Sequence, residues 1–176
     1  YPASLTKMMT LYILFDYLDK KKFNEDSTLK VSNTAASRSP SKLYLEPGST
    51  IKVKDAILAL IIKSANDVAT VVAENISGTE KNFAKLMNKY ALNLGMKNTT
   101  FKNASGLPNR AQMTTARDMA ILSHALIKNF PEKYILFSKK KFTWKDKTYK
   151  THNKLMLNYS GADGIKTGYI KASGFQ

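Results

Sequence analysis

The segment Tyr1–Thr10, YPASLTKMMT, sets Ser4 and Lys7 three residues apart at the head of an apolar run. One helical turn separates them, so the two side chains share a face. A lysine in that place has two readings. It is a solvated charge near a helix start, or it is the base that takes the proton from the serine hydroxyl. Ten residues do not decide between these. The apolar pattern that follows begins to: Leu5, Met8, Met9, Tyr12, Ile13 and Phe15 form a stripe too broad for a surface helix. The spacing predicts a helix over 5–18, buried on most sides, with Ser4 at its N-terminus and Lys20, Lys21 and Lys22 beyond its C-terminal end.

The length of 176 residues suits one domain with a real core, and 43% hydrophobic and 10% aromatic residues are globular values. The longest apolar run, Ala56–Ile62, is too short to span a bilayer. Cysteine is absent, which removes disulfides, thiolate nucleophiles and Cys-based metal sites, and no other cluster has metal-ligand spacing. The net charge of +15 is nearly all lysine, with Arg38, Arg110 and Arg117 the only arginines. Proteins that read bases lean on arginine and cluster their cations, whereas these lysines are spread along the chain. A solvated basic surface facing an anionic polymer or membrane fits better than a nucleic-acid partner. The start at Tyr1 and the close at KASGFQ suggest an internal piece of a longer protein, residues 1–176 being a single catalytic domain with any leader or membrane anchor outside it.

Further along, residues 24–53 are turn-rich, with SRSPSKLYLEPGS read as an ordered loop. Helices are predicted in IKVKDAILALIIKSAND, with Asp55 near its start, and in DVATVVAENISG, stopped by Gly78. TEKNFAKLMNKYALNLG is the clearest amphipathic helix, capped by Thr79 and ended by Gly95. TTARDMAILSHALIKNF follows, with Thr115 and Asp118 as a variant capping box, and Pro131 ends it or opens a short turn. KKKFTWKDKTYKT reads as a β-hairpin about Lys145-Asp146, GIKTGYI as a strand, and KASG as a turn to another. Helices cluster first and strands gather near the end.

Three polar clusters fall in order along this pattern: Ser4-x-x-Lys7, Ser64-Ala65-Asn66 and Lys166-Thr167-Gly168. Each alone is compatible with a surface role. The ordered triple S-x-x-K, S-x-N, K-T-G is the motif set of penicillin-binding proteins and class A β-lactamases. With the surrounding stretches LEPGSTIKVKDAILALIIKSANDVATVVAE, FAKLMNKYALNLGMKNTTFKNASGL, TTARDMAILSHALI and GADGIKTGYIKASGF, nearly the whole chain resembles a D-alanyl-D-alanine carboxypeptidase of the low-molecular-mass penicillin-binding type.

The resemblance implies an α/β (α+β) fold of the β-lactamase/transpeptidase kind, a sheet flanked by helices plus a helical subdomain, with flanking strands missing at both ends. It implies Ser4 as nucleophile, Lys7 as base and Ser64 as proton relay. Asn66 would hold the substrate amide, Lys166 and Thr167 the terminal carboxylate, and Gly168 would let a strand pass close to the substrate. The N–H groups of Ser4 and Tyr169 would form the oxyanion hole. The substrate would be a peptidoglycan stem peptide ending in D-Ala-D-Ala, with β-lactams as inhibitors, no cofactor or metal, and the bacterial periplasm or cell envelope as the place. Elementary chemistry agrees, since a lysine buried beside Lys166 would lose its proton readily and serve as base.

A class A β-lactamase needs a further carboxylate in a Glu-x-x-Leu-Asn loop; PEKYIL offers Glu132 without the Leu-Asn. A transpeptidase is a near variant, and a non-catalytic penicillin-binding module is disfavoured because Ser4, Lys7 and Lys166 are all present. Outside the triple, His124 is read as structural, His152 as making a local turn bond in preference to lining the cleft, Glu46 and Asp118 as loop and cap carboxylates, and the seven methionines as core or gap-filling residues.

Overall fold

A computed structural model describes all 176 residues, Tyr1–Gln176. A 3-10 turn, Ala3–Leu5, leads into α1 (Thr6–Asp19), whose residues Thr6–Phe15 are all buried. Because apolar side chains cover every face there, α1 runs through the middle of the fold rather than along its surface. Around it pack α4 (Asn66–Ser77), α5 (Glu80–Leu94) and α6 (Ala116–Asn129). Phe15 meets Phe130 and Phe137 edge-on, and Tyr12 meets Phe130 and Tyr90 in the same manner.

The caps fall where the sequence puts them. Thr79 and Thr115 accept from the N–H groups of Asn82 and Asp118, and Gly95 ends α5 in the left-handed conformation. Asp118 departs from the capping-box reading: its carboxylate does not reach back to Thr115 but accepts from Asn98 N–H at 2.8 Å and Thr99 Oγ1 at 2.7 Å. Pro131 opens a short helix, α7 (Pro131–Tyr134), and a 3-10 turn, Ile135–Ser138, follows.

Six short strands form three separate antiparallel pairs. The first, β1 (Thr28–Lys30) with β2 (Thr50–Lys52), lies inside the stretch read as turns and loop. Between them α2 (Asn33–Ala36) is capped by Ser32. The hairpin of β3 (Lys141–Trp144) and β4 (Lys147–Lys150) turns at Lys145-Asp146 as expected. The last pair is β5 (Tyr169–Ile170) with β6 (Gly174–Phe175), preceded by a short α8 (Leu155–Asn158). Lys166 and Thr167 were expected on a strand and lie just before one, because no other segment runs alongside to pair their backbone.

The helix predicted from Val53 onward is interrupted. After α3 (Val53–Leu58) the chain widens into a π turn over Ala59–Lys63, then breaks at Ser64. A wide turn of this kind shifts the register of the side chains beyond it and is frequent at functional sites. Two expectations about buried residues fail. His124 is exposed on α6, and Met113 is 47% exposed beside the bridge pairing Thr100 with Met113.

Candidate active site

Lys7 has no solvent exposure, and its Nζ lies 3.1 Å from Ser4 Oγ, 2.7 Å from Asn66 Oδ1 and 2.5 Å from the Ser105 carbonyl oxygen. The carbonyl and the amide oxygen accept hydrogen bonds only. A neutral amine has two N–H bonds and one lone pair, so these two acceptors consume its protons and direct the lone pair at the Ser4 hydroxyl. Burial holds the Lys7 ammonium well below the usual lysine range, and the charge of Lys166 adds to that, against the opposing pull of Asp67 and Glu80. The neutral amine needed for a base is thereby favoured.

Ser4 sits in the 3-10 turn before α1, and the residue before it, Ala3, has φ of +45°. That is a strained conformation for a residue with a Cβ. Gly106 permits the close approach of this turn: its φ is +87°, and a Cβ there would stand 1.7 Å from the Ala3 carbonyl oxygen. The Asn103 side chain closes the loop by accepting from Gly106 N–H at 2.7 Å.

Ser64 holds φ 59° and ψ 40°, left-handed and costly for a non-glycine residue at about 1–2 kcal/mol. Its Oγ is buried without a partner, although the residue borders the cleft. A buried hydroxyl left unpaired costs about 1–3 kcal/mol. Asn66, at the start of α4, takes Lys7 on its oxygen and donates its Nδ2 to the Ser39 carbonyl at 2.9 Å, while its N–H donates to the Ser41 carbonyl at 2.7 Å. The buried Asp67 accepts from the N–H groups of Leu43 and Leu45, so the loop along this side is as ordered as the sequence suggested.

Thr167 and Gly168 of the third motif, with Tyr169 after them, border the same cleft beside Ser4. Gly168 and Gln176 exchange both backbone hydrogen bonds, so the next pair, Tyr169 and Phe175, is the non-bonded kind. The Tyr169 N–H therefore points away from β6. Gly168 packs near Ser4, a Cβ there reaching 3.3 Å from both Ser4 N and Ala3 Cβ. Lys166 Nζ donates to the Thr167 carbonyl at 3.0 Å, and burial pulls its ammonium down to about 8.

Six of the eight predicted site residues, Ser4, Ser64, Asn66, Thr167, Gly168 and Tyr169, line one cleft of about 590 Å³. Lys7 lies beneath its floor, bonded to two of them. Lys166 is not on its wall, although its charge is felt at Lys7 and at His152. His152 also lines the cleft, the less favoured of its two readings; the turn bond there is Asn153 N–H to Thr151 Oγ1. Burial, with Lys166 and Lys63 nearby, lowers its pKa and favours the neutral ring. The Ser105 carbonyl and Gly106 were missed, although both stand in a quoted stretch, KNASGL, because a carbonyl has no side-chain signature. No group of three or more His, Asp or Glu is placed to hold a metal, and no helix is long and apolar enough to cross a membrane.

The sequence profile of the D-alanyl-D-alanine carboxypeptidase family, Peptidase S11, matches residues 1–176. The chain belongs to this D-alanyl-D-alanine carboxypeptidase family. A curated carboxypeptidase relative, the D-alanyl-D-alanine carboxypeptidase DacF of Bacillus subtilis, is 40% identical over 176 residues, covering 96% of this chain and 44% of its own. Penicillin-binding protein 5 of Haemophilus influenzae superposes with a TM-score of 0.94 at 36% identity over 99% of this chain and 52% of that one. Penicillin-binding protein D2 of Listeria monocytogenes, solved with ampicillin bound, gives 0.86 at 32% identity, covering 98% and 71%. The carboxypeptidase-type fold is thus established, and the chain spans about half the length of the curated relatives it matches.

Proposed function

We propose that this chain carries the catalytic centre of a serine-type D-Ala-D-Ala carboxypeptidase that removes the terminal D-alanine from peptidoglycan stem peptides. The observation that carries the proposal is the buried Lys7 amine, 3.1 Å from Ser4 Oγ with two other acceptors occupying its protons. Lys7 takes the Ser4 proton as Oγ attacks the carbonyl carbon of the penultimate D-alanine. The oxyanion that forms is met by the N–H groups of Ser4 and Tyr169. The proton then passes from Lys7 through the Ser64 hydroxyl to the departing amine, the C–N bond breaks, and D-alanine leaves. Water, deprotonated by Lys7, cleaves the ester and restores Ser4. Asn66 holds the substrate amide while Lys166 and Thr167 take its terminal carboxylate.

A β-lactam enters by the same attack, but its opened ring remains tethered, so the leaving group stays in the cleft. The absence of a Glu-x-x-Leu-Asn loop disfavours rapid release by β-lactamase chemistry. A transpeptidase would share every step to the acyl-enzyme and differ in the acceptor. No cofactor enters the scheme. The substrate places the enzyme in the cell envelope, the periplasm where there is one, with any anchor outside these residues, and nucleic acid is not among the partners.

Incubating the full-length protein with penicillin and mapping its peptides tests the proposal. The adduct is expected on the peptide holding Ser4, with D-alanine released from a D-Ala-D-Ala peptide in a parallel assay. An adduct elsewhere, or none on folded protein, would overturn it.

A further inference from the structure

The loop that holds Lys7 is itself held from behind. Ser105 offers its carbonyl to Lys7, and the preceding residue, Ala104, is pinned on both sides. The Ala104 carbonyl accepts from Thr10 Oγ1 at 2.7 Å, and its N–H donates to Glu80 Oε1 at 2.9 Å. The Glu80 side chain is 12% exposed, and its other oxygen pairs with Arg38 Nη2. Arg38 Nε donates to Thr70 Oγ1 at 3.0 Å, and that hydroxyl in turn reaches Glu80 Oε1 at 3.4 Å. Thr70 is buried in α4, one turn after Asn66. One carboxylate thus ties the loop bearing one Lys7 acceptor to the helix bearing the other.

A plainer account exists for an acid at this position. Glu80 is in the first turn of α5, where the helix dipole favours a negative charge. That would explain an exposed carboxylate facing water. It does not explain one turned inward onto the backbone of the loop behind Lys7.

We propose that Glu80, paired with Arg38, is a positioning residue for the base: it fixes the Ser105 carbonyl that directs the Lys7 lone pair at Ser4. This rests on Lys7 being the base, as assigned above. An amine at the end of four methylenes turns freely unless both its protons are engaged, and loosening one acceptor lets the lone pair swing off the hydroxyl. The charge of Glu80 matters as well. Lys7 is faced by Lys166 from the segment before β5, by Asp67 from α4 and by Glu80 from α5, and Glu80 favours the ammonium. Arg38 pairs with Glu80, and both border a groove of about 420 Å³ together with Lys81, Lys85 and Lys102.

The test uses Glu80→Ala and Glu80→Gln in the full-length protein. Penicillin acylation is followed across pH, separating the affinity of first encounter from the acylation rate, with active-site titration to count competent molecules. Glu80→Ala should lower the acylation rate per competent molecule on the order of 10²-fold, as displacement of a reacting group does, and leave first affinity little changed. Glu80→Gln keeps an oxygen for Ala104 N–H and should retain most of the rate. Its acid limb should move to lower pH, because the charge that favoured protonated Lys7 is gone. An alanine variant equal to wild type per competent molecule, or a glutamine variant with an unmoved limb, overturns the proposal. If Glu80→Ala fails to fold by circular dichroism, the Glu80→Gln limb decides alone. Unlabelled wild type, or labelling that survives Ser4→Ala, instead sinks Lys7 as the base, and the role of Glu80 with it.

Discussion

Two short segments supply adjoining walls of one cleft and are held in opposite ways. Ser4–Thr10 enters a helix buried on every side, with Lys7 fixed at three points and Thr10 bonded to the Ala104 carbonyl. Thr167–Tyr169 has few such anchors. Its regular pairing begins at Gly168 and ends two residues on, Tyr169 is 57% exposed and Phe175 opposite it is 90% exposed. On the proposed mechanism, the difference follows the chemistry asked of each wall. Proton transfer fails when a lone pair is a fraction of an ångström astray, so its groups would be over-determined. On the same proposal, taking up a substrate carboxylate tolerates adjustment, and a wall that admits a peptide would gain from it.

The largest effect should come from breaking the rigid wall at its centre. Lys7→Arg keeps the charge, but a guanidinium stays protonated and cannot act as base. Acylation by penicillin should fall by about two orders of magnitude or more, the scale of removing a general base. Wild-type acylation should rise with pH through the Lys7 titration, well below the ordinary lysine value of 10.5 because burial and Lys166 both favour the neutral amine. Near-normal rates in a folded Lys7→Arg variant, or a limb at the ordinary lysine value, would mean that Lys7 only positions or solvates.

Next in size is Gly106→Ala, a change of one methyl group. Its Cβ would stand 1.7 Å from the Ala3 carbonyl, and backbone cannot yield as a side chain tip can. The residue must also adopt φ +87°. Both the clash and the conformation act on the strained turn that presents Ser4. Stability should drop by at least about 2 kcal/mol, in the range set by overpacking and disallowed backbone. Urea unfolding measures it, and a midpoint within error of wild type would show that the Ala3–Gly106 contact is slack.

The site was legible as an ordered triple rather than residue by residue. Ser4-x-x-Lys7, Ser64-Ala65-Asn66 and Lys166-Thr167-Gly168 each fit a surface role alone, and only their order along the chain marks residues of both walls. Thr79, Gly95 and Thr115 mark helix ends through local bonding that any chain would use. The pairing of β1 with β2 was hidden because three-residue strands are too short to display an alternation and their partners lie some twenty residues apart. The π turn at Ala59–Lys63 was hidden because its apolar run is buried throughout and carries no period. Cleft lining stayed the weaker reading of His152 because its cleft is assembled from distant segments, which local pattern does not report. Glu80 and the Ser105 carbonyl were invisible for a related reason: one resembles any first-turn acid, and the other is backbone.

Gly168→Ala should have the smallest effect and separates the two walls most finely. Gly168 also lies against Ser4, so by position alone it resembles Gly106. Its surroundings differ in kind. The nearest atom to a Cβ there is Gln176 Oε1 at 2.9 Å, the end of a flexible side chain, followed by Ala3 Cβ and Ser4 N at 3.3 Å. Its backbone does not lie in the left-handed region, so alanine meets no conformational penalty. Gln176 can swing aside at the expense of its 2.7 Å bond to the Tyr1 carbonyl, a net loss of about 0.5–1.5 kcal/mol at most. Stability should therefore change by less than in Gly106→Ala. The methyl group would still crowd the Ser4 N–H where an oxyanion must be received. Acylation should fall by roughly tenfold, short of the 10²–10³ that follows outright loss of an oxyanion donor. Equal unfolding midpoints for Gly106→Ala and Gly168→Ala would erase the contrast between the two walls. A stable Gly168→Ala enzyme with unchanged acylation would instead locate the oxyanion donors away from this edge.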